Sequence, residues 1–359
     1  MKIIPLLSLV AVPLCAALPA APVEFAPHPR LAHTAREIAD WKADASRQAE
    51  LQQVVKKAEA LLAKGLTVPE KEGDWFFYYA CPKDSASLVP ETPERHVCPT
   101  CKRVYTDERT VAAYRTLLNY QLNRDCQALA LAYALTGEDR YAAPVTAALL
   151  KLARLYPTWT RHDRWKRRGL LAVVGGRRYA QLLDEAISAI ELSKAYDLIA
   201  PSVSEADRKI IETGCLGDPV REILKFQSFA GSRNNHQTWF NAAYVATGLA
   251  IGDESLMREG INGKAGLLWQ LEASVTVDGL WYEGALAYQI YAMQAIIATL
   301  EAARRVGWDF SDNAKLKSLW FGPVNLAYPN GQLPVFHDSD PLNLDRWKGL
   351  FQWGADYFK

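Results

Sequence analysis

The fold is organised around residues 231–240, which read GSRNNHQTWF. Two adjacent amides, a histidine and an arginine lead directly into an apolar, helix-forming run over residues 241–251. Because Asn and Ser are favoured at helix N-caps, this polar cluster is predicted to lie at a helix start. The backbone N–H groups there carry partial positive charge, so the position suits an anion.

A second stretch further along the chain has the same arrangement. Residues 278–291 read DGLWYEGALAYQIY and run from an Asp-Gly turn into a helix predicted over residues 285–306. Near its entrance lie an acid and three tyrosines: Glu283, Tyr282, Tyr288 and Tyr291. Since polar helix entrances in a helical chain can converge, we expect the two stretches to share one cleft.

These residue types match the chemistry of β-elimination from a uronate-containing polysaccharide. The C5 carboxylate must be neutralised, a base must remove the C5 proton, and an acid must protonate the departing oxygen. Amide and guanidinium donors suit the first task, His the second and Tyr the third. The structural alternative is an N-cap with a satisfied histidine, beside core tyrosines, since Tyr288 and Tyr291 share one helix face.

The pattern resembles the alginate lyase and heparinase II/III group of polysaccharide lyases. The resemblance rests on Asn-Asn-His followed by Trp239, then on Asp-Gly-x-x-Tyr-Glu-Gly with Tyr288 five residues after the Glu. It covers roughly residues 28–340, from the HPRL segment to the LPVFHDS segment, and is most specific over residues 234–308.

The resemblance implies roles for individual residues. Asn235 would neutralise the carboxylate, His236 would be the base or a charge-stabilising partner, and Tyr288 would be the acid, in some members also the base. Sugar recognition is predicted for neighbouring polar and aromatic residues: Arg233, Asn234, Trp239, Tyr282, Glu283, Tyr291 and His337. No organic cofactor is expected for catalysis, since no glycine-rich phosphate-binding turn occurs.

The helical periodicity predicts an all-α protein, because almost no segment alternates with period two. Successive helices with short connections fit antiparallel hairpins, and the resemblance implies that these form an incomplete α/α toroid. We expect a linker over residues 22–33 and the toroid over residues 34–340. The family's C-terminal β-sandwich is expected to be absent, with residues 341–359 the start of a truncated C-terminal region.

Individual elements can also be predicted from caps and stop signals. Thr34 should cap a helix that runs to about residue 62, and the aromatic residues 74–79 should be extended. Further helices are predicted over residues 112–135, 139–155, 179–200, 204–226 (interrupted near 214–219), 254–273 and 312–326.

Composition and the N-terminus limit the class of protein. A chain of 359 residues, half of them hydrophobic, can bury a large core. The net charge of +1 lacks the basic excess of a nucleic-acid-binding protein. Lys2, an apolar run and small residues predict a signal peptide over residues 1–21, with a short membrane anchor as the alternative. We expect a periplasmic or secreted protein whose partner is an acidic polysaccharide, without membrane association after cleavage; the oligomeric state is not indicated.

Cysteines mark an insertion over residues 73–107. Five remain outside the signal peptide, an odd number that fits poorly with a full disulfide framework. Cys98 and Cys101 form a knuckle-like pair with Cys81 upstream, and His96 or Asp84 would complete a structural zinc site. The alternative is one disulfide and a spare thiol. Cys126, within an apolar helix, is predicted to be a buried thiol.

Other functions compete with a uronate lyase, for which alginate is preferred over heparin-like polymers. A hydrolase would use two carboxylates, for example Glu283 with Asp278. The third alternative is a non-catalytic glycan-binding protein. The basic residues 161–178 are either a solvated loop or part of the cleft, where Arg can hold carboxylates in bidentate fashion.

Overall fold

The computed structural model describes residues 18, 19 and 21–359, so the predicted signal peptide lies almost entirely outside the described residues. The chain is 62% helix and 5% strand, which confirms the all-α prediction. Among the described helices, none combines the length and the apolarity needed to cross a membrane. The helices are α1 (Ala35–Ala43), α2 (Gln48–Lys64), α3 (Glu108–Thr136), α4 (Asp139–Leu155), α5 (Leu182–Ile199), α6 (Glu205–Ile210), α7 (Asp218–Ala230), α8 (Asn235–Ile251), α9 (Glu254–Asn262), α10 (Leu267–Ser274), α11 (Leu286–Arg304), α12 (Ala314–Leu326) and α13 (Lys348–Tyr357).

The helices form the two layers of an incomplete α/α toroid. Helices α5, α8 and α11 are buried on nearly all sides, as expected for helices that are apolar all round, whereas α4, α7 and α9 bury only one face. Helix α8 packs against both α5 and α11. Trp239 and Tyr291, each in the second turn of its helix, bring their rings to 4.9 Å. Helices α8 and α11 therefore lie side by side with their N-termini at the same end.

Glycine stops make the hairpins. Gly137 ends α3 and Gly252 ends α8, each with a left-handed backbone, and the next helix begins two residues later. Helices α3 with α4 and α8 with α9 pack together as pairs. The helix ends predicted from the sequence, at residues 135 and 251, lie within one residue of those observed.

Several predicted elements differ in the structure. Thr34 does cap α1, with Glu37 completing a capping box, but the helix ends at Ala43 because Asp44 caps a 3₁₀ turn before α2. The helix predicted over residues 254–273 is two helices, since Gly263 and Gly266 turn the chain too tightly to carry a side chain. The predicted interruption near 214–219 is a π-helical segment, Ile211–Gly217, between α6 and α7.

The insertion contains a small antiparallel sheet. The sequence did not predict it, because the strands are too short to show a clear pattern. Its strands are β1 (Val89–Thr92), β2 (Arg95–Val97) and β3 (Val104–Tyr105), in that order. The preceding aromatic run is not extended as predicted. It forms a 3₁₀ turn over Phe76–Tyr78, in which the rings of Phe76 and Phe77 lie 4.2 Å apart and are tilted by 31°.

Both ends of the described chain pack on the toroid. The buried carboxylate of Asp197 in α5 accepts hydrogen bonds from the ring of His28 (2.6 Å) and from the backbone of Arg30 (2.8 Å) and Leu31 (2.7 Å). At the other end, the indole of Trp320 donates to the carbonyl of Leu350 at 3.2 Å. Residues 341–359 thus add helix α13 to the same hydrophobic core.

Candidate active site

The first stretch lies at a helix start, as predicted. Asn234 is the N-cap of α8, and its side-chain oxygen accepts from the Gln237 amide at 3.1 Å. Asn235 is the first helical residue and only 7% exposed. The buried side chain of Gln270 donates to the carbonyl of Ser232, which holds the approach to the helix in place. The cap chemistry of the sequence therefore positions the amides, as in other helix N-termini.

The second stretch is held by a turn that packs on α12. Gly279 has a φ of 74° and lies directly against the Ser318 carbonyl, where no side chain fits. Gln289 donates to the carbonyl of Gly279 at 3.0 Å and accepts from the amide of Trp281 at 3.1 Å. Trp281 is buried, and the residues that follow it reach the entrance of α11.

Glu283 joins the two helix entrances directly. Its carboxylate accepts from the backbone N–H of Asn235 at 2.7 Å and from the Asn235 side-chain amide at 3.0 Å. The indole of Trp281 also donates to it, at 2.7 Å. A carboxylate at a helix N-terminus is favoured by the helix dipole. The expected convergence of the two stretches is therefore present.

The imidazole of His236 makes no hydrogen bond to another described residue. Burial lowers its pKa below the usual value, the charge of Glu283 raises it, and the charge of Arg164 lowers it. The net shift is downward, so the ring is neutral at pH 7 and free to accept a proton.

Tyr288 lies in the first turn of α11 and donates its hydroxyl hydrogen to Asp338 at 2.6 Å. That hydrogen bond raises the pKa of Tyr288, and the charges of Asp338 and Glu283 act in the same direction. The phenol is therefore protonated at neutral pH, as a general acid must be. Sequence reasoning gave Asp338 no role; the signal was an acid next to His337 in a polar segment.

The segment after α12 covers the entrance of α11. A Cβ atom at Gly284, where φ is 82°, would lie 2.5 Å from the ring of His337, so glycine permits this close approach. The hydroxyl of Ser339 accepts from the Ala287 amide at 3.0 Å. His337 is thereby brought to the same rim as Glu283 and Tyr288.

A model of the alginate lyase family matches residues 78–320 of this chain, which include Asn235, His236 and Tyr288. The chain belongs to the alginate lyase family.

Two relatives of this family member are named for alginate degradation. The exo-oligoalginate lyase of Saccharophagus degradans is 25% identical over 325 residues, which cover 86% of this chain and 38% of the relative. The alginate lyase of Stenotrophomonas maltophilia is 29% identical over 193 residues, covering 52% of this chain and 25% of the relative. The chain thus spans well under half the length of either relative.

A solved structure shares the fold of this family member. An alginate lyase from Bacteroides ovatus superposes with a TM-score of 0.59 at 14% identity, covering 92% of this chain and 90% of that one. At that identity the likeness concerns the fold, and it supports the toroid assignment.

The remaining residues predicted to contact sugar in this alginate lyase family member fall into two groups, one at the open rim and one packed between the helices. The guanidinium of Arg233 stacks at 4.2 Å over the ring of Tyr282, which is 38% exposed, so this pair lines the open rim. Trp239 and Tyr291 pack against each other deeper in the helices. Burial raises the pKa of Tyr291, and the charge of Asp184 adds to the shift.

The arginines of the basic segment, residues 161–178, are either buried in the scaffold or placed near the rim of the candidate site. The buried side chain of Arg161 donates to the carbonyl of Gly175 (2.9 Å) and pairs with Glu222 at 2.9 Å. Arg178 is likewise buried, among asparagine and serine side chains. Arg164 instead stacks on the rings of Trp75 (4.8 Å) and Trp165 (4.4 Å), close enough to affect the pKa of His236. The charge of Arg164 therefore acts on the candidate site, and nothing in the sequence distinguishes this arginine from its neighbours in the segment.

Proposed function

We propose that this chain cleaves an alginate-like uronate polysaccharide by β-elimination and leaves 4,5-unsaturated uronate ends. The observation that carries the proposal is the bonding of Glu283 to Asn235. It joins the start of α8 to the start of α11, the two elements that bear His236 and Tyr288.

Each residue takes one part of the reaction. The Asn235 amide, oriented by Glu283, stabilises the C5 carboxylate as enolate-like charge develops at the start of α8. Neutral His236 removes the C5 proton, whose bonding electrons form the C4–C5 double bond. The C4–oxygen bond breaks as Tyr288 donates its proton to the departing glycosidic oxygen. Solvent then takes the proton from His236 and restores the one on Tyr288.

The positive charge at the rim suits a polyanionic substrate. Arg233 and Arg164 both stack on aromatic rings and present guanidinium groups, which bind carboxylates well. Alginate is proposed ahead of heparin-like polymers, because both matched relatives are named for alginate or its oligomers. We also propose that the chain is exported, since Lys2 and the following apolar run have the pattern of a signal peptide. The N-terminal sequence of the mature protein tests that point.

The hydrolase alternative finds no support in the arrangement of the carboxylates. Asp278 lies in the exposed turn that packs on α12, whereas Glu283 is engaged by Asn235 and Trp281. An inverting or retaining pair would need both carboxyl groups on either side of one glycosidic bond.

One assay separates the candidate functions. The protein is incubated with alginate and, separately, heparan sulfate, while ultraviolet absorbance of unsaturated ends and the number of reducing ends are followed together. A lyase produces one unsaturated end for each new reducing end. Reducing ends without the chromophore indicate hydrolysis, and the absence of both products, with retained polymer binding, indicates a binding protein. Tyr288→Phe is the matched control, since it removes one hydroxyl and leaves the ring.

A further inference from the structure

Four side chains of the types that bind metals meet within the insertion and are separate from the residues of the candidate active site. Cys81, Asp84, Cys98 and Cys101 each place a ligand atom within 4.8 Å of all the others. We call these four residues the cysteine cluster. His96, the other candidate from the sequence, is not part of it; the Nδ1 atom of its ring bonds to the Tyr79 hydroxyl at 2.9 Å.

The cluster comes from two turns of the same build. The first reads Cys81-Pro-Lys-Asp84-Ser and the second Cys98-Pro-Thr-Cys101-Lys. The residue after each second ligand is left-handed, with φ of 56° in the first turn and 61° in the second. Its amide donates to the carbonyl of the first cysteine, at 2.8 Å and 3.1 Å respectively.

The resemblance between the turns extends one residue further. The amide of Cys81 donates to the carbonyl of Ala86 at 2.8 Å, and that of Cys98 to the carbonyl of Arg103 at 2.9 Å. In the second turn the amide of Cys101 also donates to the Cys98 sulfur at 3.4 Å. Each turn thus presents two ligands three residues apart to the same point, with Asp84 standing where a fourth cysteine would complete the pattern.

The separations fit a tetrahedral metal rather than a disulfide. The sulfurs of Cys81 and Cys101 are 3.6 Å apart, and the Cys98 sulfur lies 3.3 and 3.4 Å from the two oxygens of Asp84. Zinc with Zn–S of about 2.3 Å and Zn–O of about 2.0 Å gives tetrahedral edges of roughly 3.8 Å and 3.5 Å. A disulfide requires about 2.05 Å, and none of the five cysteines that the structure describes forms one.

We propose that the cysteine cluster binds one zinc ion through three thiolates and the Asp84 carboxylate. Sulfur-rich tetrahedral sites select zinc among the common divalent ions, and four protein ligands leave no open position, so the site is structural. Binding releases the thiol protons to solvent and involves no change of oxidation state.

The ion holds an insertion that has little core of its own. The buried residues of the small hydrophobic cluster there are Tyr79, Cys81, Leu88 and Cys98, with Ala113 supplied by α3, and the other apolar residues around them are only partly buried. That is little apolar burial to order three short strands. The same module borders the candidate active site, because the hydroxyl of Tyr78 donates to the Arg164 carbonyl at 2.8 Å. Zinc therefore helps to fix the segment that carries Arg164, whose guanidinium stacks on Trp75. The zinc assignment itself does not depend on the proposed lyase activity.

The test measures metal content in the full chain. Protein produced with zinc sulfate in the medium and then desalted should contain one zinc per chain by elemental mass spectrometry. Cys98→Ser should lose it, whereas Cys126→Ser and Cys215→Ser, which change buried cysteines outside the cluster, should keep it. Asp84→Cys should also keep one zinc, since it completes a four-thiolate site, and Asp84→Ala should weaken retention against a chelator.

Two outcomes would overturn the proposal. One is wild-type protein without zinc that shows a Cys81–Cys101 disulfide by mass spectrometry, and the other is Cys98→Ser that retains a full equivalent. Should Cys98→Ser fail to fold, a mercurial titration of the wild-type protein decides. Zinc release must then track the reaction of three thiols, and cobalt substituted for zinc must show thiolate-to-metal charge-transfer absorption. Release without thiol reaction would refute the site.

Discussion

The candidate active site and the cysteine cluster are both groups of polar residues, but they are built in opposite ways. The cluster takes its four residues from two turns within residues 81–101, and Cys81 and Cys98 are buried. The side chains of the cluster contact one another. The active site collects residues from the starts of α8 and α11, from the segment after α12 and from the basic loop with Arg164, and its His236 ring has no hydrogen bond to another described residue. A closed, local group suits stability, whereas an open group at helix entrances can act on a ligand.

Removing either proton-transfer group should have the largest effect on turnover. We expect His236→Ala and Tyr288→Phe each to lower kcat/KM by about two to four orders of magnitude, the usual cost of losing general acid–base catalysis. Steady-state assays on alginate measure the loss, and the thermal midpoint should stay near that of the wild type. Tyr133→Phe, which removes a tyrosine hydroxyl from the last turn of α3, is the control and should retain most activity. Near-normal rates in both site variants would place the chemistry elsewhere.

The reverse pattern is expected at the cysteine cluster. Cys98→Ser should lower the thermal midpoint by on the order of 5 °C or more, because metal binding contributes directly to folding. Its kcat/KM should fall by no more than about tenfold when measured well below the midpoint, since the cluster supplies no residue to the candidate active site. Differential scanning calorimetry with parallel kinetics checks both values. A thermal midpoint like that of the wild type, together with a large loss of kcat/KM, would contradict a structural role for the cluster.

Asp338 should control the alkaline side of the pH profile. Its carboxylate accepts the hydroxyl hydrogen of Tyr288 and raises the pKa of that phenol. Asp338→Asn removes the charge, so Tyr288 should lose its proton at lower pH. The alkaline limb of kcat/KM should then move to lower pH, with Asp340→Asn as the nearby control. An unmoved limb would mean that Tyr288 is not the acid that this limb reports.

Replacement of Arg164 should have the smallest effect, a shift of the acidic limb of the pH profile of kcat/KM. Its charge lowers the pKa of His236, although burial is the larger cause. Arg164→Gln should let His236 take up a proton at higher pH, so the acidic limb of kcat/KM moves upward, with a KM increase of a few-fold. The acidic limb of the wild type should lie below pH 6.5. Arg168→Gln, whose exposed side chain pairs with Glu72, should leave the limb in place.

Local signals account for most of what could be predicted from the sequence. Thr34 and the polar residues 231–236 mark the starts of their own helices, and the structure confirms a helix start at each. Three of the cluster ligands follow from cysteine spacing. The sequence could not decide between Asp84 and His96 as the fourth residue, because that depends on how the two turns face each other.

The rest depends on contacts between distant segments. The hydrogen bond from Tyr288 to Asp338 and the effect of the Arg164 charge on the pKa of His236 connect segments that are far apart in the sequence. The aromatic run at residues 74–79 has strand-like composition, yet the structure turns it into a 3₁₀ segment packed against α3. Tertiary packing overrides the β-strand propensity of this run, and no neighbouring residue in the sequence indicates that packing.

A crystal structure of the Tyr288→Phe variant with a bound uronate oligosaccharide tests the central claim most directly. We expect one uronate to place its C5 hydrogen within reach of the His236 ring, its carboxylate beside Asn235, and its glycosidic oxygen next to the ring of residue 288. An oligosaccharide ordered in another groove, with the two helix entrances free of sugar, would contradict the account.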